Sequence, residues 1–294
     1  MIGMKLPIAA LLATLAFISA ATAKPPQTEE ERAQAMRGVV WRDGQELSLP
    51  VSHGRLQAPA AYKQLLGPDA ATLWEVLNGI AAPMGTEAAL YDPVTHAVIF
   101  FQKLGDGYVK LDDWDELDAD ALLKGVTDNT EADNAKRQGS GIPPVHVVGW
   151  LERPQLDRAA STVRWSFETS ESGRPAVNSI ALVLARDGFE KIVWVGDRQY
   201  AMNNDFLRAA QANFDFVAGG RYVDHQSSDK VAEYGIATLV ASVLGVKVAA
   251  KLGFLAIALA FLKKGFVLVL VPFAFMYRRI KGWFSRGKAP PSGS

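Results

Sequence analysis

The sequence predicts an α+β domain: a largely antiparallel sheet with a few flanking helices, followed by one or more C-terminal apolar membrane helices. Three observations predict it. Four β-rich runs follow one another between residues 145 and 197, joined only by short Pro-, Gly-, Asp- and Ser-containing connections, and short links between consecutive strands favour antiparallel pairing. Helical spacing of apolar residues is confined to a few segments. The stretch "LGFLAIALAFLKKGFVLVLVPFAFMYRR", residues 252–279, is apolar enough for a bilayer apart from two central lysines.

In chain order, "MIGMKLPIAALLATLAFISAATAKPP" carries one lysine, an apolar run from Leu6 and Ala21-Thr22-Ala23 before Lys24. This is the pattern of a secretory signal, residues 1–23, cleaved before Lys24. The apolar run is shorter than the ~20 residues of a helical span. Residues 24–37, opening with "KPPQTEEERAQ", read as a solvated lead-in with a short helix. The domain proper spans 38–230. "GVVWR" and "QELSLP" read as strands around the turn "DGQ". "DAATLWEVLNGI" has Asp69 as N-cap candidate and Leu73, Val76, Leu77 and Ile80 at helical spacing. "EAALYD" and "HAVIFFQKL" flank Pro93 as a hairpin. "DADALLKGVTDNTEADNAKRQ" is a polar helix closed by Gly139 and Gly141. The runs "VHVVGWLER", "STVRWSFETS", "AVNSIALVLAR" and "FEKIVWVGD" are the four strands, and "NNDFLRAAQANF" is a last helix. No internal repeat is present.

Residues 231–284 form the membrane-anchor region, with its main apolar span at about 254–277, and 285–294 is a disordered basic tail. Lys263 and Lys264 cost roughly 5–7 kcal/mol at the centre of one span, while each Leu, Ile, Val or Phe recovers about 0.3 to 0.6 kcal/mol. A single crossing therefore competes with a helical hairpin broken at Gly265 and with a soluble helix pair. Arg278, Arg279, Lys281, Arg286 and Lys288 come directly after the span, with Tyr277 and Trp283 as interfacial aromatics. The positive-inside rule places this end in the cytoplasm. With a cleaved signal, the main domain then lies outside the inner membrane of a bacterium, in the periplasm.

Charge limits the partners. The chain is neutral overall, yet residues 24–230 hold 21 basic and 30 acidic side chains, whereas residues 231–294 hold nine basic and one acidic. An acidic body is a poor match for nucleic acid, whose phosphates require a basic face. The expected partners are the lipid bilayer and an envelope or membrane protein, with the oligomeric state open. The chain has no cysteine, so disulfides, thiol nucleophiles and cysteine-held metals are excluded.

Motifs of known chemistry are missing. There is no phosphate loop, dinucleotide fingerprint, G-x-S-x-G elbow or H-E-x-x-H pair. His53, His96, His146 and His225 are scattered. The acidic run "DGYVKLDDWDELDAD" fails the calcium-loop pattern, because Asp118 stands where glycine is required, and reads instead as a helix start enriched in carboxylates. No cofactor, metal or catalytic residue is assigned. Binding candidates come from "GRYVDHQSSDKVAEYG", residues 220–235: Arg221, Tyr222, Asp224, Asp229, Lys230 and Tyr234. They read as a structural clasp, capping an anchor helix at Ser228 or Asp229, or as a docking patch at the membrane surface.

"DNTEADNAKRQGSGIPPVHVVGW", "PQLDRAASTVRWSFE" and "GGRYVDHQSSDKVAEYGIATLVA" resemble a family of uncharacterised bacterial membrane-anchored proteins, domain of unknown function 2167. The resemblance runs from about residue 38 to 280 and is most specific at Arg-Tyr-x-Asp…Asp-Lys-x-Ala-x-Tyr-Gly. It implies a secreted, membrane-anchored protein and carries over no catalytic residue. The chain departs from the family pattern at "VLARDGFEKIVWV" and at His225, where an aromatic is usual. Residues and resemblance together lead to a membrane-anchored envelope protein with an acidic extracytoplasmic domain, acting as a non-enzymatic binding or interaction module. The alternative is a periplasmic hydrolase of unrecognised type.

Overall fold

The computed structural model describes residues 25–58, 61–78, 81–105, 107–139, 143–201 and 214–246. The signal segment, the helix expected over 203–214 except Phe214, the apolar span at 254–277 and the basic tail lie outside the described residues; Phe214 itself opens a strand.

An eight-stranded sheet organises the domain. Its strands are β1 (Arg42–Asp43), β4 (Lys63–Leu66), β5 (Thr86–Tyr91), β6 (Val98–Leu104), β8 (Val145–Asp157), β9 (Thr162–Glu171), β10 (Arg174–Leu184) and β11 (Phe189–Asp197). Their order across the sheet is β1-β4-β5-β6-β11-β10-β9-β8, and every neighbouring pair is antiparallel. The α+β class and the antiparallel sheet read from the sequence are therefore what the chain forms.

Both faces of the sheet are covered, which explains why its central strands are apolar in long runs and do not alternate with polar residues. On one face, Phe100, Val163, Trp165, Phe167, Leu182 and Val193 meet three helices. These are α2 (Pro68–Asn78), α3 (Ala119–Gly139) and a short C-terminal helix, Ile236–Val243. On the other face, Leu90, Ile99, Phe101, Ala181, Ile192 and Trp194 pack beneath Leu47, Leu56, Phe214 and Phe216. Those four belong to a small sheet of β2 (Glu46–Ser48), β3 (Gly54–Gln57) and β12 (Phe214–Phe216), in the order β12-β3-β2. Successive residues of one strand point to opposite faces, so Phe100 enters one core and Phe101 the other.

Local signals set the element ends. The lead-in helix α1 (Glu29–Arg37) begins with a capping box: Thr28 Oγ accepts from the Glu31 amide at 3.1 Å, and Glu31 returns the bond to Thr28 N at 2.9 Å. Helix α2 starts at Pro68, so Asp69 lies in its first turn and is not the cap. Proline suits that place because the first amide of a helix has no partner inside it. Asp118 caps α3 by accepting from Asp120 N and Ala121 N, each at 3.0 Å. The long edge strand β8 shifts register at three points along β9, and such bulges protect an edge from pairing with another chain.

Two further expectations are corrected. "DGQ" is not a hairpin turn: β1 pairs with β4 in the large sheet and β2 with β3 in the small one, so the chain crosses between layers there. The segment after Lys230 is not a helix capped by Ser228 or Asp229. It is strand β13 (Val231–Gly235), which runs parallel to β7 (Tyr108–Lys110). The helix Ile236–Val243 starts only after it, with Asp113 Oδ1 accepting from Ala237 N at 3.2 Å. A carboxylate there meets the positive end of the helix dipole. Tyr234, Ile236, Leu239, Val240, Val243 and Leu244 are buried in the main core, so the folded unit continues past Lys230 to Val246. Among the described residues no helix is long and apolar enough to cross a membrane.

Candidate functional site

The six predicted site residues converge on one end of the sheet, but they pair mainly with other elements. Arg186, just after β10, makes a two-pronged ion pair with Asp229: Nε to Oδ2 and Nη2 to Oδ1, both at 2.7 Å. Such forked pairs fix geometry as well as charge. Asp229 also accepts from Gln226 N at 2.7 Å. The Arg186 bonds, and after them that backbone donor, hold its carboxyl down at about 2. Arg221 forks onto Asp215 of β12. Asp224 accepts from Gly219 N at 2.9 Å and Arg221 N at 3.0 Å, closing a tight turn.

The aromatic residues complete the clasp. Tyr108 is stacked on Tyr222, with centroids 4.3 Å apart, and on His225, at 3.8 Å. His225 thus packs as a ring against Tyr108. The Tyr222 hydroxyl donates to Val109 O at 2.7 Å, and burial raises its pKa far above the usual phenol range. Lys230 contributes its carbonyl, which accepts from Tyr108 N at 2.8 Å. Tyr234, within β13, is buried.

Backbone packs on backbone where the clasp meets the sheet. Gly188 sits in the β10–β11 turn with φ +82°, and a Cβ there would come within 2.2 Å of Leu104 O. Its amide donates to Gly107 O at 3.0 Å. Only glycine tolerates both the left-handed backbone and the close approach.

Two clefts open beside the clasp. One, of about 380 Å³, is walled by Arg186, Asp187, Gly219, Asp229 and Lys230 and lined also by Ser52. The other, of about 400 Å³, runs between Asp157, Ser161, Asp215, Arg221 and Val223. Phe216 borders both.

Behind Ser52 lies a group of charged residues that sequence reasoning missed. Glu87, at the β5 bulge, is 1% exposed and accepts from Val51 N at 2.6 Å and Ser52 N at 3.1 Å. Glu190 of β11 is 0% exposed, with the Glu87 carboxyl and the Ser52 hydroxyl as its polar neighbours. Burial, and then Glu87, push its pKa well above the ordinary carboxyl value. Lys103, opposite Glu190 in the sheet, donates to Asp187 O, and burial lowers its pKa. Lys191, on the other face of β11, is 4% exposed and pushed down to about 8 by burial. The sequence did hold a signal: "FEKIVWV" sets Glu190-Lys191 inside a strand otherwise apolar, where ionisable residues are rarely buried.

The histidines are dispersed. His96 Nδ1 meets Tyr91 OH at 2.5 Å, His146 Nδ1 meets Glu131 at 2.7 Å, and His53 is exposed in a left-handed turn. Among the described residues no cluster of three or more His, Cys, Asp or Glu could hold a metal ion.

Residues 42–274 match the family described as "Protein of unknown function (DUF2167)". The chain belongs to that family. The match takes in every strand of the large sheet and the whole clasp of this DUF2167 domain. No curated protein matches the chain. Among solved structures, it resembles cyanobacterial PsbP (CyanoP) from Synechocystis sp. PCC 6803. That likeness has 9% identity over 61% of this chain and 95% of the other, with a TM-score of 0.37. A crystal structure from Bacteroides thetaiotaomicron VPI-5482 is similar at 9% identity over 60% of this chain and 49% of the other, with a TM-score of 0.29. Likenesses this loose carry no functional inference.

Proposed function

We propose that this DUF2167 protein is a membrane-anchored envelope protein whose acidic extracytoplasmic domain binds a partner, without catalysing a reaction. One observation carries the reading. Strand β13 and the helix Ile236–Val243 are built into the domain core, and only residues 247–251 separate the last described residue from the apolar stretch at 252–279. A domain joined so closely to an apolar segment has little freedom to turn away from the bilayer. The clasp supports the same reading, since its ion pairs and ring stack hold residues 214–235 against the sheet. Such an arrangement presents the clefts at a fixed height to an envelope or membrane protein. The net acidity of residues 24–230 favours a partner with a basic face.

The test is fractionation and capture with the full chain. The protein is expected to stay with membranes through high salt and carbonate, because apolar area and not charge alone holds it. A chain ended after Val246 is expected to be released as a folded soluble domain. Crosslinking in intact cells is expected to capture one envelope protein through the Arg221–Val223 surface. Release of the full chain by salt would overturn the anchoring, and turnover of a substrate lost on cleft substitution would overturn the non-enzymatic reading.

A further inference from the structure

We propose that Glu87 and Glu190 share one proton, and that this proton fastens the β2–β3 turn over the cleft beneath the clasp. Hydrogen-bond supply is the first reason. Neither oxygen of Glu190 makes a well-formed hydrogen bond among the described residues, the side chain is fully buried, and the Ser52 hydroxyl beside it can donate only one. An ionised carboxylate left that way is strongly disfavoured. Its polar neighbours are the carboxyl of Glu87 and the hydroxyl of Ser52. Two carboxyls meet favourably only when one of them carries a proton, which the protonated acid donates to the other.

Glu87 decides the division of roles. It already accepts from Val51 N and Ser52 N, so it is the acceptor of the pair, and Glu190, with no backbone donor of its own, is the member that donates the shared proton. The other charged groups around the pair do not replace that proton. Lys103 faces it from β6 but gives its ammonium to Asp187 O. Arg186 is committed to Asp229, and Lys230 lies across the cleft on the clasp. His53, next to Ser52, is exposed, and Lys191 lies on the opposite face of the sheet.

The consequence is mechanical. Glu87 grips the turn by its backbone amides, and Ser52 in that turn lines the cleft. Loss of the proton sets two buried charges against each other. The nearest relief is for the turn to lift and admit water, which alters the wall of the cleft. Proton occupancy and cleft shape are thereby coupled, whether or not the cleft is the partner-binding surface.

The experiment uses the full-length protein carrying carbon-13-labelled glutamate. Infrared spectra are expected to show a protonated glutamic acid carbonyl band at neutral pH that disappears in Glu190→Gln. Amide exchange protection at Val51 and Ser52 is expected to fall about tenfold in the wild type as pH rises through the loss of that band, equivalent to one net hydrogen bond. In Glu190→Gln the protection is expected to stay constant. If the variant does not fold, the labelled wild type decides alone, through its band and its protection tracked together with pH. Absence of the band at neutral pH, its persistence in Glu190→Gln, or protection that ignores its titration would each overturn the proposal.

Discussion

Replacing Lys191 with methionine should stabilise the protein at neutral pH. Lys191 occupies β11 between Gln102 of β6 and Leu182 of β10. Burial holds its pKa at about 8, partly offset by Glu190. In the unfolded chain the value is 10.5. Between these limits the unfolded chain binds a proton that the folded chain does not, so stability rises with pH from about 8 to 10.5. Below about 8 the full penalty is present. At about 1.4 kcal/mol per pH unit, the gap corresponds to roughly 3 kcal/mol.

Methionine keeps the unbranched stem and removes the charge. The variant is therefore expected to gain about 2–3 kcal/mol at pH 7, or very roughly 5–10 °C in melting temperature for a chain of this size. Melting curves of full-length wild type and Lys191→Met between about pH 6 and 10.5 provide the assay. The two should converge toward the alkaline end as the wild type loses its penalty. A less stable variant at neutral pH, or a difference independent of pH in the alkaline range, would show that the ammonium is compensated and would refute the reasoning.

Three further outcomes concern neighbouring groups. Glu190→Gln should stabilise the protein increasingly as pH rises above about 4.5. The raised carboxyl contributes stability that is complete below the unfolded value and is lost as pH rises through the folded one; melting curves against pH check the slope. Arg186→Ala should flatten the loss of stability between about pH 4 and 2, because Asp229 is depressed first by that guanidinium and its stabilisation disappears as acid protonates it; acid unfolding monitored by circular dichroism reads it. Gly188→Ala should cost at least about 2 kcal/mol, since φ is +82° and Leu104 O blocks the added carbon; a variant as stable as wild type would contradict the close approach.

Legibility in the sequence depended on whether the deciding contact was local. The meander β8–β11 was legible because each strand pairs with its sequence neighbour across a short turn. The hairpin of β5 and β6, the polar helix α3 and the lead-in helix were legible for the same reason. β1 and β2 were not: their partners, β4 and β3, are chosen by which layer each strand joins. β13 reads as helix because "VAEYG" opens an apolar run, yet it pairs with β7, far earlier in the chain. The clasp residues stand out through a family resemblance, whereas their partners Arg186, Asp215 and Tyr108 lie in other elements. Glu87 and Glu190 are equally distant in sequence, and no spacing rule joins two residues that meet only through sheet order.

That sheet order also explains why the unusual groups gather at one end. β5, β6 and β11 are consecutive in the sheet, and each changes from apolar to ionisable or polar near the same height: Glu87, then Gln102 and Lys103, then Glu190 and Lys191. Above that level the two cores are closed by aromatic and aliphatic side chains; at it, the glycine-containing turns and the clasp take over. Glu190 loses its contribution as pH rises, while Lys191 regains its own only above about 8, so near neutrality both act against the fold at adjacent positions. Apolar side chains of similar size would remove both penalties. A strand that keeps two such residues is not built for maximal stability at that level, and Glu190, whose polar neighbour Ser52 lines the cleft, is the one of the two on the cleft side of the sheet. The cleft between Ser52 and the clasp is therefore where the proposed proton linkage should be sought, and the proposed partner capture tested separately beside it.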